Sequence, residues 1–170
     1  MIENNQQNHK KDVLLHTCCG ICAGWPIQHL KDLGYNPVIF FYNPNIQPQT
    51  EYNKRLDALK KVCDEFGCTL IAEDYDSSLF DEIMTGWENY TEGSDRCKRC
   101  FELRLLKTVQ KARELGFEQY TTTLSVSPRK DFDVVTKVGQ TFAECFKIDF
   151  LPINFKKEDG FLKSNNIAKK

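Results

Sequence analysis

Several things are missing from this chain, and most of the absences remove a class of function. Its longest apolar run is only a few residues, far short of the roughly 20 needed to cross a bilayer. The segment Met1–Asp12 is polar throughout and has no apolar stretch of the kind a secretory leader carries. Membrane and export roles fall away, and the cytoplasm is the expected location. No strong charge of either sign is present: 23 basic residues face 24 acidic ones, for a net charge of −1. That excludes a general basic footprint for nucleic acid and leaves room only for a local patch. The phosphate-loop pattern G-x-x-x-x-G-K-[ST] is absent, because neither Gly24 nor Gly93-Ser94 completes it. Internal repeats and low-complexity tracts are absent too.

What remains is the composition of one ordinary folded domain. The chain has 170 residues, 41 % hydrophobic and 28 % charged, with twelve Phe and six Tyr to fill a core. A single domain over 1–170 is expected, with residues 1–11 a polar N-terminal extension and 156–170 a basic, polar tail.

Short apolar runs alternate with amphipathic stretches. Strands are expected over 12–17, 36–42, 69–72, 119–126 and 149–154. Helices are expected over 21–33, 51–66, 77–88, 96–115 and 132–146, several ended by glycines such as Gly34, Gly67 and Gly116. This order predicts an α/β fold: a doubly wound, mostly parallel sheet with helices on both faces. Ligands of such sheets sit beyond the carboxyl ends of the strands, at the switch point. Cys18-Cys19 and Ser125–Lys130 fall on that rim.

Eight cysteines are the informative excess. In a reducing compartment they serve more often as metal ligands or reactive thiols than as disulfides. Five fall in two clusters, His16-Thr17-Cys18-Cys19-Gly20-Ile21-Cys22 and Arg96-Cys97-Lys98-Arg99-Cys100-Phe101. In the second, Cys97 and Cys100 share one helix face and can hold one metal centre. The basic neighbours Arg96, Lys98, Arg99 and Arg104 favour thiolate over thiol. In the first, adjacent Cα atoms lie about 3.8 Å apart, below the roughly 4.4–6.8 Å usual for a disulfide. Two adjacent thiolates fit better as ligands to different irons of one cluster, while Cys22 lies at a helix N-terminus expected to lower its pKa. Two sulfurs from each cluster suit tetrahedral zinc or an iron–sulfur cluster, and the adjacent pair favours iron–sulfur.

Plainer readings apply to other residues. Cys63, Cys68 and Cys145 read as small buried hydrophobes. His16 reads as a hydrogen-bond partner at a strand end. Arg104, Lys107, Lys111 and Arg113 read most simply as a solvated helix face.

The run Leu14–Cys22 resembles the opening motif of QueH-type epoxyqueuosine reductases. So do Tyr42-Asn43-Pro44-Asn45-Ile46 with Glu51, Tyr52 and Arg55, then Arg96–Phe101 with Leu103-Arg104-Leu105, and Thr121–Pro128 with Lys130. The resemblance implies a doubly wound fold of the nucleotide α-hydrolase (HUP-like) type, with cysteines where relatives hold a phosphate loop. It implies a cytosolic oxidoreductase that removes the epoxide oxygen of epoxyqueuosine at the tRNA wobble position to give queuosine. Cys18, Cys19, Cys97 and Cys100 would then hold a [4Fe-4S] cluster, and Cys22 would ligate an adjacent mononuclear iron or act as an activated thiol. The implied partners are tRNA carrying epoxyqueuosine and an unidentified electron donor. Arg129 and Lys130, at the end of the fourth strand, are candidates to grip tRNA phosphate, with Arg104 a weaker one and Lys156-Lys157 and Lys169-Lys170 as flanking charge. One departure is expected to matter: family chains continue past the stretch matching Asp159–Ser164 into a tail with a Cys-x-Cys pair, and this chain reads as shortened. The rival class is a non-catalytic zinc domain that binds RNA or a partner. An ATP pyrophosphatase fits the fold but lacks the loop, and a thioredoxin-like oxidoreductase fits the C-x-x-C only loosely.

Overall fold

The first strand sets the plan of the molecule, because Val13, Leu14 and Leu15 are all fully buried. A strand apolar on both faces must lie inside a sheet covered on both sides. In the computed structural model, which describes residues 11–169, β1 (Lys11–His16) is the central strand. The others are β2 (Tyr35–Phe41), β3 (Leu70–Ala72), β4 (Gln119–Thr122) and β5 (Asp149–Phe150). They pair in the order β3-β2-β1-β4-β5, every pair parallel. The strand order therefore reverses at β1, between β2 and β4.

Helices α1 (Gly20–Asp32) and α2 (Gln49–Phe66) cover one face, packing with Val13 and Leu15. Helices α4 (Asp95–Leu115) and α5 (Phe132–Phe146) cover the other, against Leu14, Phe40 and Tyr120. The short α3 (Ser78–Met84) buries Phe80 and Met84 against Leu103 of α4. Glycine is required where α1 meets α2: a Cβ on Gly20 would lie 3.0 Å from the backbone carbonyl of Ala58.

The structure departs from the sequence reading in four places. The β-branched stretch 119–126 is strand only as far as Thr122, then a 3₁₀ turn over Thr123–Val126. The Thr122 hydroxyl accepts from the Leu124 amide and closes that turn, a local competitor to the ladder. The last strand is two residues long, because Leu151 and Ile153 turn their carbonyls to the hydroxyls of Thr121 and Ser125 instead. Helix α3 stops at Met84, before Gly86 with φ +85°. The supposed basic tail holds a sixth helix, α6 (Gly160–Ala168), that packs on α1. Ile167 lies so near Gly24 that a Cβ there would approach it to 2.5 Å. The inward side of α6 is small and mixed, with Gly160 and Ser164 buried and Phe161 and Leu162 exposed, so no apolar stripe announced it. The N-terminal extension lies outside the described residues except for Lys11, which opens β1.

Candidate metal centre

The carboxyl end of β1 delivers the first cysteine cluster. Thr17 continues the ladder by donating its amide to Phe40, at 2.9 Å, and its carbonyl accepts from the Asn43 side chain, also at 2.9 Å. The Thr123 hydroxyl, arriving from the end of β4, accepts from the Cys18 amide at 3.4 Å and donates to the Cys18 sulfur at 3.8 Å. Residue 18 is thus held from both sides of the switch point. Cys19 is extended and precedes the first turn of α1, which carries Cys22. The result is a trio: the sulfurs of Cys18, Cys19 and Cys22 all lie within 4.8 Å of one another, with Cys18 and Cys19 3.9 Å apart.

Three thiols this close titrate together. The first proton leaves Cys18, held well below the ordinary thiol range by hydrogen bonds from Cys19 and Cys22 and by the charge of Arg104. Cys19 is pushed up to about 12 and Cys22 is also raised, each chiefly because it donates to Cys18. The expectation that the helix N-terminus would lower the pKa of Cys22 is therefore corrected. A neighbouring thiolate less than 5 Å away outweighs about half a charge at a helix end.

The second cluster lies on the opening turns of α4. Cys97 and Cys100 stand outside the trio, half-buried on the wall of a cavity of about 170 Å³ that Asn45, Arg96, Phe101, Arg104 and Lys130 also line. The Cys97 sulfur accepts from the Gly93 amide at 3.3 Å. Residues 123 and 124 touch both clusters, Thr123 at Cys18 and Leu124 in the apolar group that packs Cys97. A much larger cavity, about 880 Å³, is lined by α1, α2 and α6 and holds none of the five thiols.

Arg104 connects the two clusters, and it is not on a solvated face. It is 3 % exposed, because it falls on the inward stripe of α4 with Phe101, Leu105, Thr108, Val109 and Ala112. That spacing was the sequence signal for its burial. Its Nε donates to the Cys100 carbonyl at 3.3 Å, and its charge acts on both Cys18 and His16. No carboxylate pairs with it among the described residues. Arg96 Nε and Asn45 Oδ1, on the same cavity, are buried without a partner. A buried guanidinium demands an anion, and a thiolate-ligated metal would supply negative charge at this place. The donor set and the unbalanced charge together fit a thiolate-bound metal centre.

The remaining candidates are placed as follows. His16 is fully buried and both ring nitrogens are engaged: Nε2–H donates to the Tyr42 carbonyl at 3.1 Å, and Nδ1 accepts from the Thr122 hydroxyl at 2.9 Å. Burial, reinforced by Arg104, holds its pKa down to about 4. It is a structural partner. Arg129 and Lys130 follow the 3₁₀ turn rather than a strand end and line a second cavity of about 100 Å³, with Cys97 and Lys98. Lys107 and Lys111 are paired with Glu73, the latter at 2.9 Å. Cys63 is buried and its thiol pushed up to about 12, whereas Cys145 is exposed, against expectation, on the outer face of α5. Arg55, whose guanidinium pairs with Glu51 at 2.7 Å, lies within electrostatic reach of Cys18 and Cys19.

A model of the family described as epoxyqueuosine reductase QueH matches residues 13–170. The chain belongs to that family. It is thereby an enzyme of the oxidoreductase class. An epoxyqueuosine reductase QueH from Thermotoga maritima is 36 % identical over 160 residues, covering 92 % of this chain and 81 % of the relative. A QueH from Streptococcus pyogenes is 31 % identical over 165 residues, 94 % of this chain and 64 % of the relative. One from Helicobacter pylori is 39 % identical over 141 residues, 82 % of this chain and 38 % of the relative. The chain thus spans most of one of these relatives and less than two thirds of the other two.

Two solved structures share the fold at 12 % identity and 94 % coverage of this chain. One is described as a predicted subunit of tRNA methyltransferase from Methanocaldococcus jannaschii, with a TM-score of 0.63 over 74 % of that chain. The other is the U34-tRNA thiolase NcsA from Methanococcus maripaludis with its [4Fe-4S] cluster, with a TM-score of 0.57 over 58 % of that chain. The likeness is one of fold: a doubly wound α/β domain on a parallel sheet, as the resemblance implied. No helix among the described residues is long and apolar enough to cross a membrane.

Proposed function

We propose that this member of the QueH family removes the epoxide oxygen of epoxyqueuosine in tRNA by a two-electron reduction in the cytosol, on a metal centre held by its clustered cysteines. The single observation that carries the reading is the pairing of a buried, unbalanced Arg104 with thiols from two distant chain segments. Cys18, Cys19, Cys97 and Cys100 are the four ligands of a [4Fe-4S] cluster. Cys22 is the fifth thiol, beside the first two, and serves an adjacent iron or remains a thiol. When bound, such a cluster supplies electrons one at a time.

The chain's own residues do the rest. Arg104 offsets the charge of four thiolates and favours the more reduced state, since its guanidinium cannot release a proton. The buried His16 fixes the β1 exit between Tyr42 and Thr122 and so sets where Cys18 points. Arg129 and Lys130 line a cavity with Cys97, which supports a role in binding substrate phosphate.

The test is anaerobic purification, with iron and labile sulfide measured, followed by conversion of epoxyqueuosine-containing tRNA under a supplied reductant. Serine at 18, 19, 97 or 100 is expected to abolish the iron–sulfur absorbance, whereas Cys145→Ser leaves it intact. About one zinc with no labile sulfide would overturn the cluster, and a fully loaded preparation that never converts the tRNA would overturn the reductase.

A further inference from the structure

The segment between α3 and α4 carries an aromatic group that the metal centre does not use. Trp87 and Tyr90 lie with ring centroids 4.7 Å apart, and the guanidinium of Arg99 sits 4.5 Å from the Trp87 ring. Tyr90 is 51 % exposed, so one face of its ring is open to solvent. The Trp87 end is anchored, in the apolar group of Phe80, Met84 and Leu103 that also packs Cys100. The aromatic pair, its rings tilted 39° to one another, therefore runs from the wall of the cysteine cavity outward to solvent.

We infer that Tyr90, backed by Trp87 and Arg99, is a stacking platform for an unpaired base of the RNA substrate beside the one presented to the metal centre. This rests on the tRNA reading above. Three features select a nucleobase as the occupant. A flat aromatic face half open to water takes another flat ring and has no preference among bases, since every base has a π-face. Cationic Arg99 stands beside it on α4, exposed and over the Trp87 ring, and suits a phosphate next to a stacked base. The platform is continuous through Met84 and Phe80 with the cavity of Cys97 and Cys100. A base removed from a loop leaves its neighbours unstacked, and a protein ring replaces the lost partner.

The experiment compares two probes on the full, metal-loaded chain by fluorescence anisotropy: a hairpin RNA carrying the anticodon loop, and the stem duplex without it. Tyr90→Ala is expected to weaken hairpin binding about 10-fold while leaving duplex binding and the salt slope unchanged, because stacking releases no counterions. Tyr90→Phe keeps the ring and is expected to bind like the parent. In a Trp25→Phe background, Trp87 is the only indole left and its emission is expected to be quenched by hairpin alone. Equal hairpin affinity for Tyr90→Ala and the parent overturns the platform and leaves the reductase standing. Loss of hairpin and duplex together in Tyr90→Ala also overturns it, by showing a general effect. Failure of the parent to bind either RNA overturns the tRNA reading, and the platform with it.

Discussion

Folding buries His16 in its neutral form, and that choice has a pH signature. The unfolded chain takes up a proton near pH 6.5, whereas the folded imidazole resists until about pH 4. Between those values the unfolded state binds more protons, so stability is full above pH 6.5 and is lost as pH falls. The expected loss is about 1.4 kcal/mol per pH unit, or roughly 3 kcal/mol across the window. Urea unfolding of the metal-free chain from pH 7 to pH 4.5 measures it, and His16→Gln is expected to flatten the slope. An unchanged slope in that variant would assign the acid sensitivity elsewhere. Individual residues were unevenly legible in the sequence. The five clustered cysteines announced themselves by spacing, and His16 by its strand-end position. Arg104 did not, because a cation reads as surface unless it is counted on the i, i+3, i+4 stripe that also holds Phe101, Leu105 and Thr108. The order of thiol acidities was hidden as well, since it depends on sulfur–sulfur contacts within the trio.

Among the elements, α1 carries most of the mechanical duty: it holds Cys22, abuts α2 through Gly20, and meets α6 through Gly24. Gly24→Ala forces a methyl to within 2.5 Å of Ile167 Cγ2, an overpacking expected to cost about 1–3 kcal/mol. Shortening the opposing side chain relieves it. The double variant Gly24→Ala/Ile167→Ala is expected to lose less than the sum of the single ones, read from denaturation midpoints. Strict additivity would show that α6 does not bear on α1 at that point. The periodicity of α1, α2, α4 and α5 and the apolar runs of β1 and β2 made those elements readable within a residue or two. The errors fell where side chains compete for the backbone. Thr122 diverted β4 into a 3₁₀ turn, and Thr121 and Ser125 took the carbonyls that would have prolonged β5. Helix α6 was missed because its stability comes from the surface it covers rather than from its own composition.

For the molecule as a whole, a net charge of −1 leaves no general basic surface, so the proposed RNA contact must rest on a local patch such as the rim that carries Arg129. Arg129 is exposed on that rim and Arg104 is buried below it, so their variants are expected to behave differently. Arg129→Ala lowers tRNA affinity and reduces the slope of log K against log salt by about 1. Arg104→Gln leaves the salt slope as it was and makes the metal centre harder to reduce, seen as a more negative midpoint in a spectroelectrochemical titration. Equal salt slopes for Arg129→Ala and the parent would remove Arg129 from the RNA contact. The sheet's topology has one more consequence. Cys18 and Cys19 leave the ribosome early, their α4 counterparts emerge only after two more strands, and the α6 segment that buttresses α1 is synthesised later still. The nascent chain thus carries reactive sulfurs long before it has a pocket to hold them. A centre held by all four proposed ligands would have to be loaded after the α4 pair has emerged, and until then the early thiols would be open to oxidation.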